Sequence, residues 1–234
     1  MKEGISVFFP CYNDEKSIAV LVEDTFSILP TLTDRYEVIV IDDGSTDTSR
    51  TVLKQLKEKY DKLRLIFHRK NKGYGGALRS GFKAAKYEFV FYTDGDGQYD
   101  VKELPILVSL MSSDIDFVNG IKLARNDPTY RIVIGNIYAF VARWLFWLPI
   151  VDVDCDFRLI RKRTLKKITL TSNSGSICIE LVKRSQRAGA RFRQVSVHHY
   201  ERRFGHSQFF RPKYILRTCK ELTSLWVDLM FLKR

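Results

Sequence analysis

Short apolar runs rich in β-branched and aromatic residues alternate with segments of helical spacing through the first half of the chain. No other feature restricts the possible folds as much. The runs are Ile5 to Phe9, Tyr36 to Ile41, Leu63 to His68, Glu88 to Tyr92 and Asp116 to Asn119. Between them, residues 14–29, 47–60, 74–86 and 101–112 place apolar side chains at helical intervals, with Ser45 or Asp47 as an N-cap for the second. A strand followed by a helix re-enters its sheet in the same direction through a right-handed crossover. The expectation is an α/β fold with a mostly parallel central sheet flanked by helices. In such sheets ligands bind outside the carboxyl ends of the strands.

The chain has 234 residues, 45% hydrophobic and 28% charged, which suits one domain with a sizeable core. We place that domain at residues 1–210 and read 211–234 as an amphipathic helix that packs on it or lies on a membrane surface. Cys11, Cys155, Cys178 and Cys219 are far apart and form no CxxC or Cys/His ligand spacing, so neither a zinc site nor a disulfide framework is suggested. The first residues lead straight into a strand-like run without a basic segment or cleavage site, so a cytoplasmic protein is expected.

Charge is distributed unevenly. Residues 1–157 hold 20 Lys and Arg against 23 Asp and Glu, whereas residues 158–234 hold 19 against 4. A basic C-terminal third implies an anionic partner: a phosphorylated lipid, an anionic bilayer surface or a nucleic acid. No nucleic-acid reader motif accompanies it, and we expect no nucleic-acid partner. Residues 132–151 are almost long enough to span a bilayer, but Asn136 and Arg143 interrupt them and Pro149 ends them. A core or interfacial helix is expected there, with Trp144, Phe146 and Trp147 as amphipathic anchors.

Three strand-like runs end in polar motifs: Pro10-Cys11-Tyr12-Asn13-Asp14, Asp42-Asp43-Gly44-Ser45 and Thr93-Asp94-Gly95-Asp96-Gly97-Gln98. Asp94, Asp96 and Gln98 offer hard oxygen donors on a tight turn, a set that suits Mg2+ or Mn2+ holding a pyrophosphate. A calcium EF-hand is excluded, because Tyr99 and Pro105 stand where that loop needs Gly and Glu. Asp42 and Asp43 can accept hydrogen bonds from a ribose or base edge. The cluster Lys72-Gly73-Tyr74-Gly75-Gly76 resembles a phosphate loop, but Leu78 stands at the third Gly of GxGxxG and no Walker motif is present. Downstream, Asp152-Val153-Asp154-Cys155-Asp156-Phe157-Arg158 gathers three carboxylates and an arginine, an acceptor or metal environment. Arg202-Arg203-Phe204-Gly205-His206-Ser207-Gln208 is a basic loop suited to gripping phosphate. His198 and His199 fit the end of a strand.

In this order the motifs resemble glycosyltransferase family 2, and most of all its dolichyl-phosphate mannose or glucose synthase branch. The likeness runs from residue 5 to about residue 210. Pro10-x-Tyr12-Asn13-Asp14 resembles the donor-binding opening, Asp42 to Asp47 the nucleotide segment, and Asp94-x-Asp96-x-Gln98 the metal motif. Asp152 to Arg158 is similar to the D-x-x-x-G-F-R segment, and Arg202-x-x-Gly205-x-Ser207 to the R-x-x-G-x-S-K loop. The sequence departs at Asp14 (Glu in the family), Lys122 (Arg), Asp156 (Gly) and Gln208 (Lys).

The resemblance implies a GT-A fold, inversion at the anomeric carbon, a GDP- or UDP-sugar donor, a polyprenyl phosphate acceptor such as dolichyl or undecaprenyl phosphate, and Mg2+ or Mn2+ as cofactor. The catalytic residues implied are Asp96, Asp152, Asp154 and Arg202. Pro10, Tyr12, Asp14, Asp42, Asp43, Lys72, Asp94 and Lys122 would bind the donor; Arg131, Arg158, Arg202, Arg203 and Ser207 would bind acceptor or phosphate; Asp94, Asp96 and Gln98 would hold the metal. A phosphate acceptor is already an anion, whereas a sugar hydroxyl needs a base, for which Asp152 and Asp154 are the candidates. Both acceptors stay open, as does a non-catalytic nucleotide-sugar- or nucleic-acid-binding module.

Overall fold

The computed structural model describes residues 3–123, 129–201 and 212–232. All five expected strands form: β1 (Ile5–Cys11), β2 (Tyr36–Asp42), β3 (Leu63–Phe67), β4 (Phe89–Thr93) and β5 (Phe117–Leu123). Between them run α1 (Ile18–Leu32), α2 (Ser49–Lys59), α3 (Tyr74–Ala84) and, after a 3-10 turn at Val101–Glu103, α4 (Leu104–Ser109). The second half supplies α5 (Thr129–Phe146), β6 (Phe157–Arg161), α6 (Lys162–Leu165), α7 (Ile177–Arg187), β7 (Phe192–His198) and α8 (Pro212–Val227), which closes in a π-helical turn at Asp228–Leu232.

The seven strands lie in the order β3-β2-β1-β4-β6-β5-β7. The sheet is parallel except for β6, which runs antiparallel between β4 and β5. Alternation along the strands divides the core between the two faces. Ile5, Val7 and Phe9 join Val38, Val40 and Phe91 under α1, α2 and α4. Phe8, Ile39, Ile41, Val90 and Tyr92 face α3, α5, α7 and α8 on the other side.

The chain lays β2 and β3 on one side of β1 and β4 on the other, so the strand order reverses between β1 and β4. Loops leaving the carboxyl ends of two such strands diverge and open a crevice. The polar strand ends of the sequence lie there.

The helix expected within 132–151 is α5, and its apolar residues divide between two surfaces. Ala142 and Phe146 are buried, so Phe146 is a core residue and not an anchor. Ile137, Phe140, Val141, Trp144 and Leu145, at spacing i, i+3, i+4, i+7 and i+8, form one exposed stripe that Trp147 extends. The C-terminal helix and its closing turn pack against the core of this face through Leu225 and Leu229. The Trp226 indole N–H donates to the Leu145 carbonyl at 3.1 Å, joining α8 to the end of α5. Among the described residues no helix is long and apolar enough to cross a membrane.

Candidate active site

The loop after β1 is laced to the loop after β2. Asn13 sits at φ 58°, a left-handed conformation that asparagine tolerates better than most residues. Its Oδ1 accepts the Thr46 N–H at 2.8 Å, while its own N–H donates to Ser45 Oγ at 3.0 Å. Asp14 accepts the Tyr12 N–H at 3.0 Å and anchors its own N–H on Ser49 Oγ. Pro10 is buried at the end of β1 and Tyr12 is exposed at the mouth. The β4 loop passes so close that a Cβ on Gly95 would lie 2.4 Å from the Pro10 carbonyl, so only glycine fits.

Both aspartates closing β2 are buried and hydrogen-bonded. Asp42 pairs with Arg50 at 2.6 Å and accepts the Ser45 N–H. Asp43 meets His68 Nδ1 at 2.6 Å and accepts the N–H groups of Lys72 and Gly73, each at 2.9 Å. His68 in turn meets Ser80 Oγ at 2.9 Å. These contacts fix the Asp42–Ser45 segment within the protein itself. The Lys72 side chain is exposed beside it.

At the end of β4, Asp94 Oδ1 accepts the Tyr74 hydroxyl at 2.6 Å. Burial, reinforced by the carboxylates of Asp156 and Asp94, holds the Tyr74 pKa well above its ordinary value, so the phenol remains a donor. Asp96 accepts the Gln98 N–H at 3.0 Å, and Gln98 Nε2 donates to the Tyr200 carbonyl at 3.1 Å. The Asp94–Gln98 turn is thereby tied to the segment beyond β7. Among the described residues no three His, Cys, Asp or Glu side chains gather as a ready-made metal cage. Asp94 and Asp96 fit an ion that takes one or two carboxylates and completes its shell with water and phosphate oxygens, as Mg2+ does.

On the far side of the crevice, Lys122 and Asp152 come together. Their side chains are almost fully buried, the ammonium lies 3.7 Å from Asp152 Oδ1, and the Lys122 N–H donates to Oδ2 at 3.2 Å. Asn119, inside β5, donates to the Asp152 carbonyl at 2.9 Å. Asp154, two residues after Asp152, is half-buried. Burial pushes the Cys155 thiol up to about 12 and raises Cys178, hydrogen-bonded to Asp156, as well, so neither is a nucleophile near neutral pH.

Arg158 is placed differently from the expected acceptor contacts. Its side chain is 0% exposed, and the guanidinium donates to Asn119 Oδ1 at 2.8 Å, to the Tyr92 hydroxyl at 2.7 Å and to the Val153 carbonyl, with Asp156 at 3.3 Å. A phosphate would reach it only by displacing these partners. The Arg131 side chain, Arg202, Arg203 and Ser207 lie outside the described residues. The structure adds Tyr74, His68, Tyr92 and Asn119 to the site; only Tyr74 stood inside a recognised motif, the glycine cluster.

Residues 6–169 match the family described as Glycosyl transferase family 2, well over half of the chain. The chain belongs to this family. Among curated relatives it is 27% identical over 227 residues to an undecaprenyl-phosphate 4-deoxy-4-formamido-L-arabinose transferase of Yersinia enterocolitica, covering 94% of this chain and 68% of the relative. The transferase of the same name from Yersinia pestis is 26% identical with the same coverage. Among solved structures, glucosyl-3-phosphoglycerate synthase from Mycobacterium tuberculosis with Mn2+, UDP and phosphoglyceric acid superposes with a TM-score of 0.73 at 19% identity, covering 97% of this chain and 78% of that one. The same enzyme with Mg2+ and UDP gives a TM-score of 0.71. As a member of family 2 with a GT-A fold, the chain is a glycosyltransferase, and the fold and family expected from its motifs stand.

Proposed function

We propose that this glycosyltransferase moves a sugar, with inversion, from a nucleoside-diphosphate sugar to a polyprenyl phosphate at the cytoplasmic face of a membrane. The observation that carries the reading is the meeting of Asp43, Asp94 and Asp96 at the topological switch point. Acidic strand ends gathered there suit a nucleotide and its diphosphate. The Yersinia relatives are named for an undecaprenyl phosphate acceptor, and the mycobacterial neighbour was solved with UDP and either Mn2+ or Mg2+.

The β1 and β2 loops hold the nucleoside end, with Asp42 and Asp43 fixed for that purpose, while Asp94 and Asp96 face the diphosphate. Asp94 and Asp96 would hold a divalent cation, which would supply positive charge to the leaving diphosphate. The acceptor oxygen attacks the anomeric carbon from the opposite side. A phosphate oxygen needs no proton removed, so Asp152 is left to pair with Lys122, the cation that the resemblance assigns to the donor. Arg158 acts from behind by holding the Asp152–Asp156 segment in place. Arg202, Arg203 and Ser207 are the residues that the resemblance assigns to phosphate binding.

The exposed stripe of α5 supports the membrane part of the reading. Trp144 and Trp147 are 75% and 73% exposed, and an aromatic-rich apolar stripe on a helix too short and interrupted to span a bilayer suits the headgroup region.

Incubation of the full chain with radiolabelled UDP- or GDP-sugars, Mn2+ and undecaprenyl phosphate in detergent tests the proposal, and label should enter the lipid fraction. Transfer to a glycan hydroxyl but never to the lipid phosphate would replace the acceptor. Absence of donor binding and of donor hydrolysis would overturn the enzyme reading.

A further inference from the structure

The glycine cluster that resembles a phosphate cradle spends its backbone on the protein itself. The N–H groups of Lys72 and Gly73 go to the two oxygens of Asp43, and that of Gly75 goes to the Asn173 carbonyl at 3.1 Å. Gly73 has φ +82°, and a Cβ there would lie 2.3 Å from the Asn173 carbonyl, so the turn has no alternative path. Arg79 braces the same segment by donating to Asn173 Oδ1 at 2.6 Å and to the Thr171 carbonyl at 2.7 Å. A turn gripped from both sides is rigid, and it delivers the Tyr74 ring, the first residue of α3, to the end of β4. The hydroxyl meets Asp94 Oδ1 at 2.6 Å. One turn therefore joins the carboxylate closing β2 to the carboxylate following β4.

We propose that Tyr74 is a positioning residue for the metal–diphosphate subsite: its hydroxyl fixes the rotamer and plane of Asp94, and the Lys72–Gly76 turn serves as the bracket that holds it. This rests on the donor-site reading above. A short charge-assisted hydrogen bond orients a carboxylate before the cation arrives, so binding avoids the cost of ordering it. Tyr74→Phe keeps the ring and its packing and removes only this bond.

The test is a Mn2+ titration of the full chain with saturating UDP, or GDP if UDP gives no nucleotide-dependent binding, with free Mn2+ read by electron paramagnetic resonance. Wild type should bind Mn2+ in a nucleotide-dependent way. Tyr74→Phe should weaken the apparent affinity about tenfold, the equivalent of one hydrogen bond to a charged group, with its melting temperature little changed. Asp94→Ala should weaken binding further, and Tyr74→Phe should add nothing in the Asp94→Ala background, because it acts through that carboxylate. Should Tyr74→Phe lose its fold, the same titration of Arg79→Lys, which loosens the brace on residues 171–173 and leaves Tyr74 and Asp94 chemically unchanged, should show a smaller weakening in the same direction. Equal Mn2+ affinity of wild type and Tyr74→Phe, or penalties that multiply in the double variant, would overturn the inference alone. A wild type without nucleotide-dependent Mn2+ binding would overturn the donor-site reading and this inference with it.

Discussion

The Arg158 guanidinium donates to the Tyr92 hydroxyl at 2.7 Å in the middle of the sheet, where both side chains are wholly buried. Tyr92 passes a hydrogen bond on to Asp156 at 3.0 Å, and Arg158 also holds Asn119 and the Val153 carbonyl. A buried cation satisfied in this way costs a great deal to delete, because its partners lose their donors together.

Arg158→Ala should therefore destabilise the fold by about 3–5 kcal/mol. Urea denaturation measures the loss, with donor-binding affinity in the residual folded fraction as the control. A variant of wild-type stability with a raised KM for acceptor alone would place Arg158 in contact with substrate.

Asp96 calls for a different outcome. It is buried at the mouth of the crevice and accepts the Gln98 N–H. Asp96→Ala should reduce transfer at least about 100-fold, the scale of losing metal charge stabilisation at the leaving group, with a melting temperature near wild type. Activity retained after chelation and Mn2+ restoration would remove Asp96 from the metal site.

The first five strands were legible because each is a run of β-branched and aromatic residues with a polar end, and the polar ends marked the crevice. Strand β6 was not. Its sequence, Phe157-Arg158-Leu159-Ile160-Arg161, carries two arginines, and charge argues against a central strand until partners for it are known. Those partners, Tyr92 and Asn119 for Arg158 and the Ile115 and Ser112 carbonyls for Arg161, come from distant segments. The glycine cluster was readable as a tight turn, but the use of its amides depends on Asp43, 29 and 30 residues away. Tyr74 to Asp94 and His68 to Asp43 are likewise pairings across the sheet, which spacing along the chain does not reveal.

Glu180 links the fold to pH. It is fully buried on α7, and burial alone would raise its pKa. The N–H groups of Ser172 and Thr171 and the Arg184 guanidinium outweigh that and hold it below its ordinary 4.5. A carboxyl depressed in the folded state contributes stability that is present above the unfolded pKa and lost as pH falls through the folded one. Wild type should be more stable than Glu180→Gln near neutrality, and the gap should narrow steadily once pH drops below about 4.5. Urea unfolding of both chains from pH 7 to pH 3 reads this directly, and a gap independent of pH would show that the carboxylate charge contributes nothing.

Membrane association can be tested at α5 without disturbing the core. Removing residues 211–234 is an unsuitable test, because Leu225 and Leu229 belong to the packed interior and their loss would unfold the face being examined. Trp144 and Trp147 lie on the outside and contribute little to folding, so Trp144→Ala/Trp147→Ala should leave the melting temperature within a few degrees of wild type. The same pair should cut flotation with anionic phospholipid vesicles at least about tenfold, since two exposed indoles carry much of the apolar area the stripe can bury. Salt should weaken what remains, because the basic excess of residues 158–234 acts through screened charge. Two other results would count against the reading. Undiminished flotation of the double variant would move the docking surface elsewhere. Concentration-dependent dimers of wild type that the double variant fails to form, with no flotation of either, would show that the stripe is covered by a second copy of the chain instead of lipid.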